Sequence, residues 1–301
     1  MTVADRYPTR HGGEPGVLRR EEPVLWRNWH STAPLSPLQC RQWRDQGFLV
    51  LPDLLAAGEV ALLQSEAARM RGDRRLLRLD SAIRERDNDE LRSLFQPQQH
   101  SEVIDALLRD RRLLDIAGFL LDSPVYAHQA RINYKPAFRG AGFDWHSDFE
   151  TWHAEDGLPA MRTLSLSILL TDNTPANGPL LLIPGSHRWF LSCPSPTPEN
   201  HFRNSLREQR VGIPDESLVA SLARDGISAA TGAAGTVVLF DSNVLHGSAN
   251  NISPWPRCNL FFVYNSVDNT PQAPFCGRPP RPAFVAERRD FRPLQARRRA
   301  G

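Results

Sequence analysis

The chain has 301 residues, of which 41% are hydrophobic and 23% charged, and its formal net charge is +2. This length suits one large domain with a sizeable buried core. A net charge so close to zero argues against a nucleic-acid partner. The sequence contains no run of eighteen apolar residues that would enter a membrane. We therefore expect a protein that acts on a small molecule.

Four cysteines are present, and none forms a C-x-x-C pair; they are Cys40, Cys193, Cys258 and Cys276. Their wide spacing is not that of a disulfide framework. The first residues lack the apolar core of a secretion signal. These features predict a cytoplasmic protein.

The first part of the chain is expected to be helical. Residues 1–30 are polar with scattered apolar positions and predict a flexible N-terminal arm. Ser36 can cap a helix that Pro37 opens and Gly47 ends, and residues 48–51 read as a strand. Further helices are predicted at about 59–71 and 102–121.

From Val125 onward the pattern changes to short strands separated by turns. The clearest are residues 125–135, 161–171, 180–184, 235–240 and 257–267. Helices followed by evenly spaced strands predict an α+β fold with a double-stranded β-helix, the jelly-roll or cupin core, and helices packed outside it. Residues 31–270 would form this domain, and the Pro- and Arg-rich residues 271–301 a tail or lid.

A metal site is suggested by His146, Asp148 and His246. His146 and Asp148 are two positions apart, so on an extended chain their side chains point the same way. His246 follows an apolar strand that ends at Phe240. Two imidazoles and one carboxylate form the facial triad of non-haem Fe(II) oxygenases, which leaves positions open for a co-substrate and O2.

Other interpretations of these three residues exist. A His and an Asp at this spacing also occur by chance, and either histidine could be purely structural. Two His and one Asp can also hold Zn²⁺ in a hydrolase, but the sequence has no H-E-x-x-H motif and no cysteines at zinc spacing.

The surrounding sequence resembles a known family. The segment FDWHSDFETWHAEDGLP at residues 143–159 is similar to the signature of ectoine hydroxylases, in the phytanoyl-CoA dioxygenase superfamily. The similarity continues through residues 125–136, 177–180, 183–187, 245–248 and 251–254, and covers about residues 35–295. It implies hydroxylation of ectoine to 5-hydroxyectoine with Fe(II), 2-oxoglutarate and O2, a jelly-roll fold and a homodimer.

The co-substrate 2-oxoglutarate needs a cation opposite its distal carboxylate. Arg257 opens a strand shortly after His246 and can bind a carboxylate through two N–H groups. Lys135, the only lysine, ends a strand whose alternate positions are polar. A solvent-exposed sheet face is the alternative for that strand. The resemblance implies that Lys135 binds 2-oxoglutarate, with Ser167 and Ser248 as further candidates.

Ectoine is a small cyclic zwitterion, so its site should combine aromatic faces with a few hydrogen-bonding groups. Trp152, Phe240 and Phe261 are candidates for the aromatic faces, although Phe240 and Phe261 could equally be core residues. The polar candidates are Gln129, which the resemblance implies, together with Asn259 and, for the ectoine carboxylate, Arg281 in the tail.

Two further functions remain open at this stage. The enzyme could hydroxylate another small zwitterion, or the chain could be a cupin-like binding protein without catalysis. Halogenation is disfavoured, because halogenating relatives have a small residue where this chain has Asp148. Exclusion of water from the site would favour mobile covering segments, such as residues 149–159 or the tail.

Overall fold

The computed structural model describes residues 4–85, 89–199 and 211–297. Its α-helices are α1 (Pro37–Gln46), α2 (Ala57–Gly72), α3 (Glu102–Leu108), α4 (Arg111–Leu121), α5 (Asp148–Thr151) and α6 (Glu216–Leu222). A π-helical turn, Trp152–Asp156, continues α5, and short 3-10 turns lie at Leu76–Arg78, Pro97–Gln99 and Ser186–Arg188. No helix in these ranges is both long and apolar enough to cross a membrane.

Thirteen strands are present in the same ranges. They are β1 (Val17–Arg19), β2 (Phe48–Leu51), β3 (Ala82–Arg84), β4 (Leu91–Phe95), β5 (Val125–Lys135), β6 (Phe143–His146), β7 (Thr163–Leu169), β8 (Leu180–Leu182), β9 (Trp189–Leu191), β10 (Ser228–Ala230), β11 (Val237–Asp241), β12 (His246–Ser248) and β13 (Arg257–Ser266). The strands predicted from Val125 onward are confirmed, with ends that shift by a few residues.

Helix α1 forms as its sequence predicts. The Ser36 side chain accepts a hydrogen bond from the Gln39 amide, and the Gln39 side chain accepts one from the Ser36 amide, which makes a complete capping box. The helix ends at Gly47, whose φ of 82° is in the left-handed region that glycine favours. Strand β2 begins immediately afterward, so the cap fixes where the chain enters the sheet.

Two antiparallel sheets form the core. The larger has the order β2-β11-β7-β13-β5-β4-β3, and the smaller has the order β10-β8-β12-β6. We call them the major and the minor sheet. The predicted α+β jelly-roll with outer helices is confirmed, although the two sheets stay separate instead of closing into one barrel. A third pair, β1 and β9, joins the N-terminal segment to the remainder.

The two faces of the major sheet differ in chemistry because successive strand residues point to opposite sides. On β5 and β13, Ile132, Leu260 and Phe262 pack with helix residues in the main apolar core. The opposite face carries polar side chains, and Lys135 from this face donates a hydrogen bond to Ser248 of the minor sheet. The space between the sheets is therefore polar beside β5, although Phe240, Phe261 and Leu182 belong to an apolar cluster between the same sheets. The polar part favours a site there over a solvent-exposed face.

The chain ends are packed against this core. Tyr7 and Arg10 are buried, and β1 pairs with β9, so parts of segment 4–30, for which composition predicts a flexible arm, pack against the core. A few long-range contacts, not a periodic pattern, hold this segment. Residues 271–297 contain no helix or strand, yet Val285 and Ala286 are fully buried. The predicted arm and tail also include residues 1–3 and 298–301, which lie outside the described ranges.

We expect Gly47→Ala to destabilise the fold by about 2 to 4 kcal/mol, because the left-handed φ and the tight packing both penalise a Cβ. That atom would lie 2.4 Å from His187 Nδ1 and 2.6 Å from Val244 Cγ2. Urea unfolding measures the change. Gly58→Ala in α2 is the control, since its Cβ meets nothing within 4 Å. Equal stability of the two variants would contradict this account of the cap.

Candidate metal centre and adjoining cavity

Three potential metal ligands meet between the sheets. His146 ends β6 and His246 begins β12, and the two are paired directly in the antiparallel register. Asp148 begins α5, which Ser147 caps through the Glu150 amide. One ligand atom from each of the three lies within 4.8 Å of the others. They are the only such group of three or more His, Cys, Asp or Glu residues that the described part of the chain contains.

The hydrogen bonds of the two histidines orient them for metal binding. His146 Nδ1 lies 2.7 Å from the carbonyl oxygen of Asp144, and His246 Nδ1 lies 2.9 Å from that of Val244. A carbonyl only accepts, so each Nδ1 carries the proton and each Nε2 keeps its lone pair. Both Nε2 atoms lie 3.8 Å from the same Asp148 oxygen. The three donor atoms thus face one point.

The charge states also suit a metal. Burial, reinforced by His146, lowers the pKa of His246 to about 4, so at neutral pH the ring is neutral and able to coordinate. Burial alone would raise the pKa of Asp148, but His246, Arg131 and His146 lower it overall. The second Asp148 oxygen accepts a hydrogen bond from Ser165 at 3.1 Å, which fixes the carboxylate.

A cavity opens beside these ligands. His146 and Asp148 line it, together with three of the predicted substrate contacts, which are Gln129, Trp152 and Arg281. Gln129 Nε2 donates to the carbonyl of Val285 at 2.6 Å, so the tail lies over this wall. Segment 149–159, predicted as a mobile covering loop, is instead mostly helical, and residues 149 and 152–158 are buried.

Lys135 and Arg257 lie together at adjoining ends of β5 and β13, where they are register partners. Both side chains are buried, and neither forms an ion pair with any carboxylate in the described ranges. Burial, reinforced by Arg257 and Arg92, lowers the pKa of Lys135 to about 5. Burial also lowers the pKa of Arg257 to about 10. Two buried cations without an anion are costly, so this corner suits an anionic ligand.

A glycine turn lets the chain approach these cations. The Gly178 carbonyl accepts hydrogen bonds from both Arg257 Nη1 and Lys135 Nζ. Its φ is 67°, and an added Cβ would lie 2.4 Å from the Ala249 carbonyl oxygen. Ser248 accepts a hydrogen bond from Lys135 Nζ at 2.9 Å. Lys135, Arg257 and Ser248, predicted separately as co-substrate contacts, are therefore neighbours.

The remaining predicted contacts do not line the cavity directly. Ser167 accepts a hydrogen bond from Asn259 Nδ2 at 3.2 Å, while Asn259 Oδ1 has no protein partner. The Phe240 ring lies 5.0 Å from the His246 ring, and Phe240 and Phe261 share one apolar cluster. Both phenylalanines thus have core contacts.

Arg281 is in the cavity wall but is already engaged. Its guanidinium forms two hydrogen bonds to the carboxylate of Asp156, one of them 2.9 Å from Nε to Oδ1. Burial alone would raise the pKa of Asp156, but Arg281 and His128 lower it to about 2. The guanidinium has five N–H donors, so some remain for a ligand.

Sequence reasoning missed several cavity residues, of which three bear on the proposed site. Arg131, Thr151 and Glu155 all line the wall. The Arg131 guanidinium lies over the Phe261 ring, 4.9 Å from its centre, and makes no ion pair in the described part of the chain. The alternation on β5 that selected Gln129 and Lys135 also selects Arg131. The helical turns that carry Thr151 and Glu155 gave no comparable signal.

The comparisons with known proteins agree with this geometry. A family model described as phytanoyl-CoA dioxygenase (PhyH) matches residues 43–258. The chain is 50% identical over 295 residues to the ectoine dioxygenase of Stutzerimonas stutzeri strain A1501, which covers 98% of this chain and 98% of the relative.

Solved structures of similar proteins match over the same length. EctD from S. alaskensis with 2-oxoglutarate and 5-hydroxyectoine has a TM-score of 0.88 at 44% identity, and covers 98% of both chains. The same protein with bound Fe gives the same TM-score, identity and coverage. Because the family model and a relative sharing half of the residues both span most of the sequence, the chain belongs to the phytanoyl-CoA dioxygenase family and, within it, to the ectoine dioxygenases.

Proposed function

We propose that this protein hydroxylates ectoine to 5-hydroxyectoine with Fe(II), 2-oxoglutarate and O2, and releases succinate and CO2. The observation that carries the proposal is a facial triad beside a cavity, together with two buried basic side chains without carboxylate partners in the described ranges, Lys135 and Arg257. Lys135 donates a hydrogen bond to Ser248 on β12, the strand that His246 begins. The similar proteins support the choice of ligands, since they are named ectoine dioxygenases and one EctD structure contains 2-oxoglutarate and 5-hydroxyectoine.

His146, Asp148 and His246 would hold the iron. The donor set fits Fe(II), because it offers two neutral imidazoles and one carboxylate and leaves the other positions open. Iron, when bound, supplies the redox chemistry that activates O2. The protein's part is to keep both Nε2 atoms deprotonated and the carboxylate fixed by Ser165.

Lys135 and Arg257 would bind the distal carboxylate of 2-oxoglutarate, with Ser248 as a hydrogen-bonding neighbour. An anion there would offset the cost of burying both cations. Ser167, whose hydroxyl accepts a hydrogen bond from Asn259, would be a further contact for the co-substrate. Residues of the major sheet would thus orient the co-substrate toward the triad.

Trp152, Gln129 and Arg281 would bind ectoine. All three line the cavity that His146 and Asp148 share, so a ligand there is adjacent to the metal. The indole offers a face to the amidine-like cation, and the spare N–H groups of Arg281 suit the carboxylate. Three residues that do not line the cavity would support the wall from behind: Phe240, Phe261 and Asn259. Exclusion of water by the tail and the π-turn would protect the reaction.

An assay of ectoine-dependent succinate release by Fe(II)-loaded protein tests the function directly. Turnover of another zwitterion in preference to ectoine would change the assigned substrate but not the type of reaction. Failure to consume 2-oxoglutarate with any of them would favour the non-catalytic, cupin-like alternative.

We expect Asp148→Ala to abolish hydroxylation and to weaken iron retention by more than about 100-fold, since it removes the only anionic ligand, and loss of a supporting partner alone costs about 10 to 100-fold. Metal analysis and succinate release measure this. Asp144→Ala is the control, because Asp144 is an exposed carboxylate on β6, the strand that ends in His146. Normal iron content in Asp148→Ala would remove this residue from the triad.

We expect Arg257→Ala and Gln129→Ala each to weaken the binding of a different ligand. Loss of a cation opposite a buried carboxylate costs about 2 to 5 kcal/mol, whereas loss of a neutral hydrogen bond costs about 0.5 to 1.5 kcal/mol. Arg257→Ala should therefore weaken 2-oxoglutarate binding strongly, and Gln129→Ala should weaken ectoine binding moderately. Separate titrations of 2-oxoglutarate and ectoine into each variant measure both affinities. Unaltered 2-oxoglutarate affinity in Arg257→Ala would refute the role of Arg257.

We also propose a cytoplasmic homodimer. Cys40, Cys193, Cys258 and Cys276 are free, which suits a reducing compartment. An exposed apolar group on two adjoining loops offers a contact surface for a second copy: Phe138 is 66% exposed, Ile252 73% and Trp255 64%. The Phe138 amide donates to the Ser253 carbonyl, so these loops are neighbours. Clustered exposed apolar side chains are typical of interfaces.

We expect Trp255→Glu to convert the dimer to a monomer, because a charge in the centre of an apolar interface has no partner there. Light scattering after gel filtration measures the mass. Leu62→Glu on α2 is the control, since Leu62 is 58% exposed outside this group. A monomeric unmodified protein, or a dimeric Trp255→Glu variant, would contradict the assignment.

A further inference from the structure

The N-terminal segment contacts the helical segment that carries Asp148 and Trp152. Tyr7 packs edge-on against Phe149, with ring centres 5.5 Å apart, and shares an apolar cluster with Trp152. Thr9 Oγ1 donates to Glu150 Oε1 at 2.7 Å. These contacts join the first residues of the chain to the wall of the cavity.

Arg10 is the centre of this contact. Its side chain is fully buried and binds Glu150 through two N–H groups, from Nε at 2.8 Å and from Nη2 at 2.6 Å. Its Nη1 donates to Glu155, and Nη2 also donates to Thr151 Oγ1 at 3.1 Å. Burial alone would lower the pKa of Arg10, but Glu150 and Glu155 raise it overall, so the guanidinium stays charged.

The same acidic segment binds Arg281 from the other end of the chain. Arg281 pairs with Asp156, and its Nε lies 3.8 Å from Glu155 Oε2. Glu155 therefore stands between Arg10 and Arg281. Thr151 and Glu155, which touch Arg10, line the cavity together with Trp152 and Arg281. A continuous series of buried ion pairs thus leads from the N-terminal segment to the proposed ectoine site.

We propose that Arg10 is a positioning residue for ectoine binding, acting through Glu150 and Glu155 on Trp152 and Arg281. The inference rests on the proposed function. Without Arg10, two buried carboxylates lose their common partner, and the turn that carries them must shift or take in water. Displacement of about 1 Å at a binding wall can cost about 100-fold in rate. The metal-binding histidines on β6 and β12 and the basic side chains on β5 and β13 lie outside this turn, and Asp148, which begins the helix before it, is held separately by Ser165 of β7.

Arg10→Ala and Arg20→Ala make a matched pair. Arg20 is also a buried arginine of the N-terminal segment with a buried carboxylate partner, Asp241, at 2.8 Å. Its described hydrogen bonds go to Glu22, Pro23, Asp241 and Met161, not to residues 148–156. Ectoine is titrated calorimetrically into each protein loaded with Fe(II) and 2-oxoglutarate without O2, and KM is measured for both ligands with O2.

We expect Arg10→Ala to raise the Kd and KM for ectoine by about tenfold or more, with iron content and the KM for 2-oxoglutarate close to those of the unmodified protein. Arg20→Ala should lower the unfolding midpoint without changing ectoine affinity. Arg10→Lys keeps the charge, and so the fold, but its ammonium group cannot bridge two carboxylates. We expect it to raise the Kd for ectoine by less than Arg10→Ala does.

The same measurements show whether the role of Arg10 or the proposed substrate is incorrect. Equal ectoine affinity in Arg10→Lys, Arg20→Ala and the unmodified protein would overturn the role of Arg10. Equal losses in Arg10→Ala and Arg20→Ala would make its effect one of general stability. If the unmodified protein does not bind ectoine while 2-oxoglutarate still binds, the proposed substrate fails, and the positioning role fails with it.

Discussion

The site depends first on the antiparallel pairing of β6 with β12. That pairing sets His146 opposite His246, and the helix that follows β6 returns Asp148 to the same point. A shift of one residue in this register would turn a histidine to the opposite face of the sheet and leave two ligands. Backbone carbonyls two residues before each histidine then hold both Nδ1 protons, so the sheet fixes the position of each imidazole and the carbonyl fixes its tautomer.

A second constraint is the pair of buried basic side chains, Lys135 and Arg257, that lie between the sheets without a carboxylate partner in the described ranges. Lys135 has a pKa of about 5 because of burial and neighbouring cations, so without an anion nearby it is neutral at pH 7. A bound carboxylate would favour the charged form and raise that pKa. An added Cβ on Gly140 would lie 2.1 Å from Lys135 Cγ, so the stem is closely surrounded. The single lysine in an arginine-rich chain therefore matches a narrow site where the charge responds to the ligand.

The sequence was most informative where a local pattern carries the structure. Ser36 and Gly47 marked the ends of α1, and the alternation on β5 identified the polar face that holds Gln129 and Lys135. It was least informative for contacts between distant residues. The Arg10 pairs with Glu150 and Glu155 join positions about 140 residues apart, and no periodicity marks them. A polar N-terminal segment consequently looked flexible, although a few buried ion pairs hold it in place.

The proposed contacts for iron and 2-oxoglutarate differ from two of the proposed contacts for ectoine in their place in the fold. The triad histidines and the basic residues Lys135 and Arg257 are on sheet strands, where backbone pairing restricts movement, although β6 is an edge strand paired only with β12. Trp152 and Arg281 are on a π-turn and on a segment without regular structure. Iron and 2-oxoglutarate are common to many enzymes, whereas the substrate is particular to a few. With Trp152 and Arg281, two of the proposed substrate contacts, outside the sheets, the terminal segments would tune ectoine binding with little effect on the two metal-binding histidines.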